Sequence, residues 1–351
     1  MWWSLVFLVG ACAVAPRGFN RSQHLSTVSQ LPNGEAVILG AMLHGEVRLA
    51  PLHLDSRGRW SSGPTGPERV GQAVATLADG RILVCGGLEA GSGRLESAKV
   101  SLYDPMRRSW AVGSSMLARR HHATAAVLGD GRVLVHGGID GGSGGPLTEA
   151  YNASTGLWSA VDDDDENGCP GTGPLVGLDD GRALLIAGRC AAAFDPVANG
   201  WTRLPGPQYM HRGGTVTQLA DGRVIVVGGN EGDKAARATE LFDPRTGFWV
   251  AGPTLTHGRW AHSSTQVGDV LVIAGGRRKG PKPDRRMHSV ELLDLRNARR
   301  GRKTLGVRRS GHVALAVDDR GVVLVGGSVG MIFNNFPSHR TARVRVPRRW
   351  R

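Results

Sequence analysis

Lysine is nearly missing from this chain. Of 43 basic residues only five are Lys, and the Arg that make up the rest are scattered along its whole length. A net charge of +13 would suit a nucleic-acid partner, but no basic helix, zinc finger, helix-turn-helix or RNP-like motif accompanies it, so nucleic acid is not expected. Aromatics are also few, at 5% of residues, yet nine of them are Trp, and those fall in a pattern. No segment holds the roughly 18 to 20 apolar residues that a spanning helix needs. Glycine is the exception, at 52 of 351 residues. It follows no strict triplet, which excludes collagen, and it is too abundant for a helical protein; it fits a chain of many tight turns.

One segment recurs. "LADGRILVCGG" at 77–87 returns as "LGDGRVLVHGG" at 128–138 and "LADGRVIVVGG" at 219–229. Looser copies are "LPNGEAVILGA" at 31, "LDDGRALLIAG" at 178, "VGDVLVIAGG" at 267 and "VDDRGVVLVGG" at 317. The spacing of about 40–50 residues is that of a repeat architecture. Each copy has one grammar: an apolar strand, an Asp-Gly turn of the two-residue hairpin kind, a β-branched strand buried on both faces, then a Gly pair that lets backbones approach. A third strand ends in an aromatic–Asp–Pro motif, as at Tyr103-Asp104-Pro105 and Phe242-Asp243-Pro244. Trp follows the aromatic by seven residues: Tyr103 and Trp110, Tyr151 and Trp158, Phe194 and Trp201, Phe242 and Trp249, with His53 and Trp60 at the same offset. A hairpin puts such rings in register, where they fill the gap between neighbouring sheets. One such sheet cannot bury enough surface alone, whereas stacking around an axis does.

On these residues the chain resembles Kelch-repeat proteins, whose signature is the Gly pair, the aromatic and the following Trp. Here they are Gly86-Gly87, Tyr103 and Trp110 in one copy and Gly228-Gly229, Phe242 and Trp249 in another. The resemblance implies an all-β fold, a seven-bladed Kelch-type β-propeller of four-stranded antiparallel sheets, with six or eight blades as the other counts. One propeller domain is expected over residues 20–351. The sixth copy has no Trp, and the seventh uses Trp350 loosely or borrows an N-terminal strand.

The opening "MWWSLVFLVGACAVAP" reads as an export signal over residues 1–12. "VGAC" resembles a bacterial lipobox, in which Cys12 is lipidated. A periplasmic or cell-envelope monomer, tethered to a membrane only by that lipid, is the expectation; a buried N-terminal strand is the alternative. Cys85 reads as a small buried hydrophobe. Register across the fourth hairpin brings Cys169 and Cys190 opposite one another, which predicts a cross-strand disulfide.

The loops opposite the Asp-Gly turns are longer and more varied, and loops on a rigid frame are where binding concentrates. That face gathers a lead-in motif before each first strand: "ERVG", "RRHHA", "HRGG", "HGRWAH" and "RRSGH". Arg69, Arg119, Arg212, Arg259 and Arg308, with His122, His262 and His312, are the candidate ligand-binding residues. Guanidinium groups there would grip carboxylate or sulfate in bidentate fashion; the competing reading is that they bond neighbouring blades. The imidazoles have no compact ligand spacing, so no metal and no cofactor is expected. "DDDDENG" at 162–168 reads as a solvated acidic loop and "RRKGPKPDRR" at 277–286 as a basic excursion.

Two functions stay open. No nucleophile, base and orienting group recur together, which favours a non-catalytic scaffold recognising a protein or an anionic glycan. The resemblance also implies carbohydrate-active enzymes, a sialic acid mutarotase type and a copper-radical sugar oxidase type. The oxidase type needs a Tyr joined to Cys, a second Tyr and two His. Tyr103, Tyr151 and Tyr209 are the only tyrosines, and two of them occupy the repeated aromatic position.

Overall fold

The computed structural model describes residues 27–347, apart from 32–34, 40–41, 44–45, 48–50, 56–58, 68, 90–94, 140–143, 163–168, 170–171, 232–233, 279–285, 319–320, 330–335 and 338–341. Cys12 and its leader, Trp350, most of the acidic stretch and most of the basic excursion lie outside the described residues.

Within them the chain is all-β and runs as seven successive antiparallel sheets, six of four strands and the last of three. The blades are 27–62, 73–113, 124–161, 175–204, 215–251, 263–309 and 313–345. This is the expected seven-bladed β-propeller. Ser29–Gly40 and Val47–Pro207 form one compact unit, which holds most of blade 1 and blades 2 to 4. Gln208–Arg351 belongs to a second unit, which holds blades 5 to 7.

The second strand of each blade is the apolar centre. Ile82–Cys85, Val133–His136 and Val224–Val227 are buried at every position, so both faces of the strand are covered. In the first unit, Val37 and Leu39 of blade 1 meet Ile82, Val84 and Tyr103 of blade 2. In the second unit, Val272 and Val290 of blade 6 meet Val322 and Val344 of blade 7. Each such core draws on two neighbouring sheets, so no blade owns a complete one. Burying one Val or Leu side chain contributes about 1.5–3 kcal/mol, and that gain exists only when the neighbour is present.

The Asp-Gly turns are one residue longer than expected. Leu77 N–H bonds to Arg81 O at 2.8 Å, so Ala78, Asp79 and Gly80 form a three-residue loop. Only Gly80 is left-handed, at φ 85°. Two-residue loops of the primed kind need positive φ at Asp as well; the three-residue loop needs it once, at its last residue. Asp79 accepts from Arg81 N and Nε, and Asp130 with Arg132, Asp180 with Arg182 and Asp221 with Arg223 repeat that pairing. Blade 6 writes Gly268-Asp269 with no Gly after the Asp, and there Val267 pairs with Val270 across a two-residue loop.

The aromatic grammar is a cross-strand register. Tyr103 faces Trp110, Tyr151 faces Trp158, Phe194 faces Trp201 and Phe242 faces Trp249, with ring centroids 4.8–5.4 Å apart. Trp158 Nε1 donates to Ser114 O in the link from the preceding blade, at 2.9 Å. Blade 1 departs from the expected offset. Trp60 faces Leu54 rather than His53, because the turn between Asp55 and Arg59 is one residue shorter than those after the other third strands. Trp60 is 38% exposed there, and His53 bonds through Nε2 to the Tyr103 hydroxyl at 2.6 Å.

Cys169 and Cys190 form a disulfide. It does not cross the first hairpin, as register suggested. Strand one of blade 4 starts at Leu175, beyond Cys169, and Cys190 opens the third strand, Cys190–Asp195. The bond thus ties the chain arriving at the blade to the start of its third strand.

Candidate functional site

The lead-in turns have a common build. A buried basic side chain comes first: Arg69, Arg120, Arg259 and Arg309 in blades 2, 3, 6 and 7, with the His211 imidazole in blade 5. Two residues later the backbone enters the left-handed region, at Gly71, His122, Gly213, Ala261 and Gly311. That kink presents an N–H to the preceding turn. His122 N donates to Gly71 O in the first unit; Ala261 N donates to Gly213 O and Gly311 N to Ala261 O in the second, all at 2.7–2.8 Å.

These buried side chains reach outward along their own blade. Arg120 donates to the carbonyls of Gly137 and Leu147 and to Glu149, Nη2 to Oε1 at 2.8 Å. Glu149 also accepts the N–H groups of Leu117 and Ala118. Glu291 does the same for Arg259, Thr256 N and His257 N, and Glu240 for His211 Nε2, Gln208 N and Tyr209 N. Burial opposes ionisation of Glu240 and Glu291, but their side-chain and backbone hydrogen-bond partners, with the Arg259 charge beside Glu291, outweigh it and hold both carboxyls below the ordinary value. Arg69 and Arg259 of the candidate set are therefore committed to main-chain carbonyls and strand side chains within their blades. Arg119 and Arg308 are exposed, and the residue after each is the buried one. Arg212 is exposed as well. His262 and His312 are buried, with Nε2 against Thr215 and Ser263 hydroxyls of the preceding blade. Desolvation, aided by the Arg309 charge, lowers His312 to about 3; desolvation, with Arg259, His312 and His211, takes His262 well below its usual value. Both rings are neutral wedges between sheets.

One lead-in turn differs from the rest. At 119–122 the chain writes Arg-Arg-His-His, and its left-handed residue is His122, at φ 60°. The other blades place Gly or Ala there. His121 and His122 lie with ring centroids 4.7 Å apart, and Glu96 Oε1 is 3.7 Å from His121 Nδ1. Desolvation, with the neighbouring His121 charge, lowers His122 to about 4; burial lowers His121 against the opposing pull of Glu96. His122 is half-buried and Arg119 beside it is exposed, so the cluster reaches solvent. Sequence reasoning found His122 and Arg119 but not Glu96, which comes from the variable loop of blade 2 and carries no repeat signal.

No family model matches the chain. It is 26% identical over 241 residues to human Kelch-like protein 38 and 31% identical over 226 residues to an F-box/kelch-repeat protein of Arabidopsis thaliana, covering 65% and 61% of this chain. It spans only 39% of the length of each. A Kelch-like protein terF of Aspergillus terreus is 25% identical over 74% of this chain and 61% of its own. Among solved structures, a fungal alcohol oxidase of the AA5 family, in complex with copper, superposes with a TM-score of 0.71 at 16% identity, over 93% of this chain and 73% of that one. The fold is a Kelch-repeat β-propeller, related to Kelch proteins of eukaryotes.

The expectation of a non-catalytic scaffold is corrected here. Its warrant was that no catalytic grouping recurs in the repeats. The AA5 oxidase has this architecture across nearly the whole chain and is an enzyme. A catalytic site in such a fold needs building only once, from loops of different blades, so its absence from the repeat says nothing against it.

Proposed function

We propose that the chain is a carbohydrate-active enzyme that works by acid–base chemistry, with His121, His122 and Glu96 as its reactive groups. The observation that carries this is His122 itself. A left-handed residue other than Gly is strained, and this turn closes equally well with Gly in blades 2, 5 and 7. Blade 3 instead places an imidazole there, beside a second imidazole that faces a carboxylate, and that grouping has a chemical rationale.

Copper chemistry does not fit the residues. Among the described residues no three of His, Cys, Asp and Glu are placed to hold a metal. Tyr103 and Tyr151 are buried against Trp110 and Trp158, and burial pushes the Cys85 thiol up to about 12. The reaction that suits the cluster needs no oxidant. It is the interconversion of sugar anomers: one imidazole takes the proton of the anomeric hydroxyl as the other supplies a proton to the ring oxygen. The bond from the anomeric carbon to the ring oxygen breaks, the open carbonyl form rotates, and the reverse transfers close the ring. His122 is neutral at pH 7 and accepts the proton; the fraction of His121 that is protonated, which Glu96 at 3.7 Å favours against burial, supplies the other, and the reverse transfers restore both rings. Exposed Arg119 suits a sugar bearing a carboxylate. The test is the rate of anomer exchange by proton NMR for neutral and acidic sugars. Acceleration by the native protein and its loss in His122→Gln support the reading. Native exchange rates equal to buffer would overturn it, and so would peroxide release from alcohols on adding copper without any effect on exchange.

A further inference from the structure

In blades 3, 5 and 6 the buried basic side chain of the lead-in turn, Arg120, His211 or Arg259, meets a Glu two residues before the aromatic position: Glu149, Glu240 and Glu291. Blade 2 keeps the cation and drops the acid. Arg69 is 3% exposed, and the matching position holds Ser101, whose Oγ accepts from Arg69 Nη2 at 2.9 Å. Nη1 donates to Lys99 O, and Nε has no partner. Glu89, whose charge acts on Arg69, is already taken by Lys99 Nζ and Ser97 Oγ, each at 2.9 Å. Beside it lies an open cleft of about 360 Å³, lined by Arg69, Ser101, Lys99 and Glu89 on its polar side and by Pro67, Val100 and Val112 on its apolar side. Among the described residues no carboxylate pairs directly with the Arg69 guanidinium, and Glu89 acts on it only as a neighbouring charge; burying Arg69 in this way is costly, and a bound anion is what would relieve it.

We propose that this cleft binds a small carboxylate with an apolar body, whose charged end takes the place that Glu149, Glu240 and Glu291 fill in the other blades. One further substitution agrees. Those glutamates accept two successive backbone N–H groups, and at the second of the matching positions blade 2 has Pro67, which has none to offer. Blade 2 has shed the internal acceptor and one of its donors together, while keeping the cation. The lining belongs to blade 2 and the segments that lead into and out of it, and includes none of His121, His122 and Glu96, so the inference does not rest on the anomer-exchange reading.

The test is calorimetric titration with butyrate and benzoate, set against butyramide and benzamide, which match them in shape but carry no charge. Binding of the acids and not the amides is expected. Ser101→Glu should supply the missing carboxylate within the chain, raise the melting temperature of the free protein and weaken the acids at least tenfold. Arg69→Met should also abolish binding; if it does not fold, Ser101→Glu still decides. Equal binding of acids and amides, no binding of either, or an undiminished response in Ser101→Glu would each overturn the proposal.

Discussion

At the scale of single residues, the lead-in motifs divide into groups that look alike in sequence and do different work. Arg119 and Arg120 are adjacent, yet one is exposed and the other is bound to Glu149 in the interior. Glu149→Ala should destabilise the fold by about 3–5 kcal/mol, since it strands a buried charge and two N–H groups. Arg119→Ala should change stability by no more than about 0.5 kcal/mol. Urea denaturation of the two variants measures both. The sequence shows that an Arg is needed before the first strand, but a pair of Arg carries no phase. The phase is written elsewhere, in the Glu two residues before the aromatic, and that signal becomes visible only when the third strand is known to return beside the lead-in turn.

At the scale of elements, turn length decides what faces what. The Tyr–Trp pairs were legible because four turns have one length. The same offset misled in blade 1, where a turn shorter by one residue sets Trp60 against Leu54. Glycines divide similarly. Gly80 has open space around it and is strained only by its φ of 85°, so Gly80→Ala should cost about 1 kcal/mol. At Gly86 an added Cβ would lie 2.4 Å from Arg120 O, which is backbone and cannot yield, so Gly86→Ala should cost several times more. Midpoints of chemical denaturation distinguish them. The disulfide closes a loop of 21 residues; replacing Cys169 and Cys190 by Ala should remove about 3 kcal/mol on the chain-entropy account. That pairing was legible in sequence although its strand was not, because the estimate counted across a hairpin that Cys169 does not enter.

At the scale of the whole molecule, buried imidazoles set the response to acid. His122, His262 and His312 have folded values below the ordinary 6.5. The unfolded chain therefore binds protons at these sites before the native one does, and stability falls as pH drops below about 6.5. The slope approaches about 1.4 kcal/mol per pH unit per group. Glu240 and Glu291, depressed below the ordinary carboxylate value, add a further loss that begins as pH drops below that ordinary value and is complete once pH has fallen through their native ones. Melting temperature should decline from pH 7 to 5, and His312→Gln should flatten that decline. The fold was legible because it repeats: each blade restates the register, the Gly pair and the apolar strand. Of the reactive cluster, His122 was legible from its lead-in motif, but Glu96 was not, because it occurs once, on a variable loop of blade 2, and leaves no period to detect. The most direct test is His122→Gly, which writes into blade 3 the residue that blades 2, 5 and 7 already use, with anomer exchange and melting temperature measured on the same sample. The expected result is exchange slowed at least a hundredfold in a protein that melts no lower than the native one. Undiminished exchange would show that the strained imidazole is not there for chemistry.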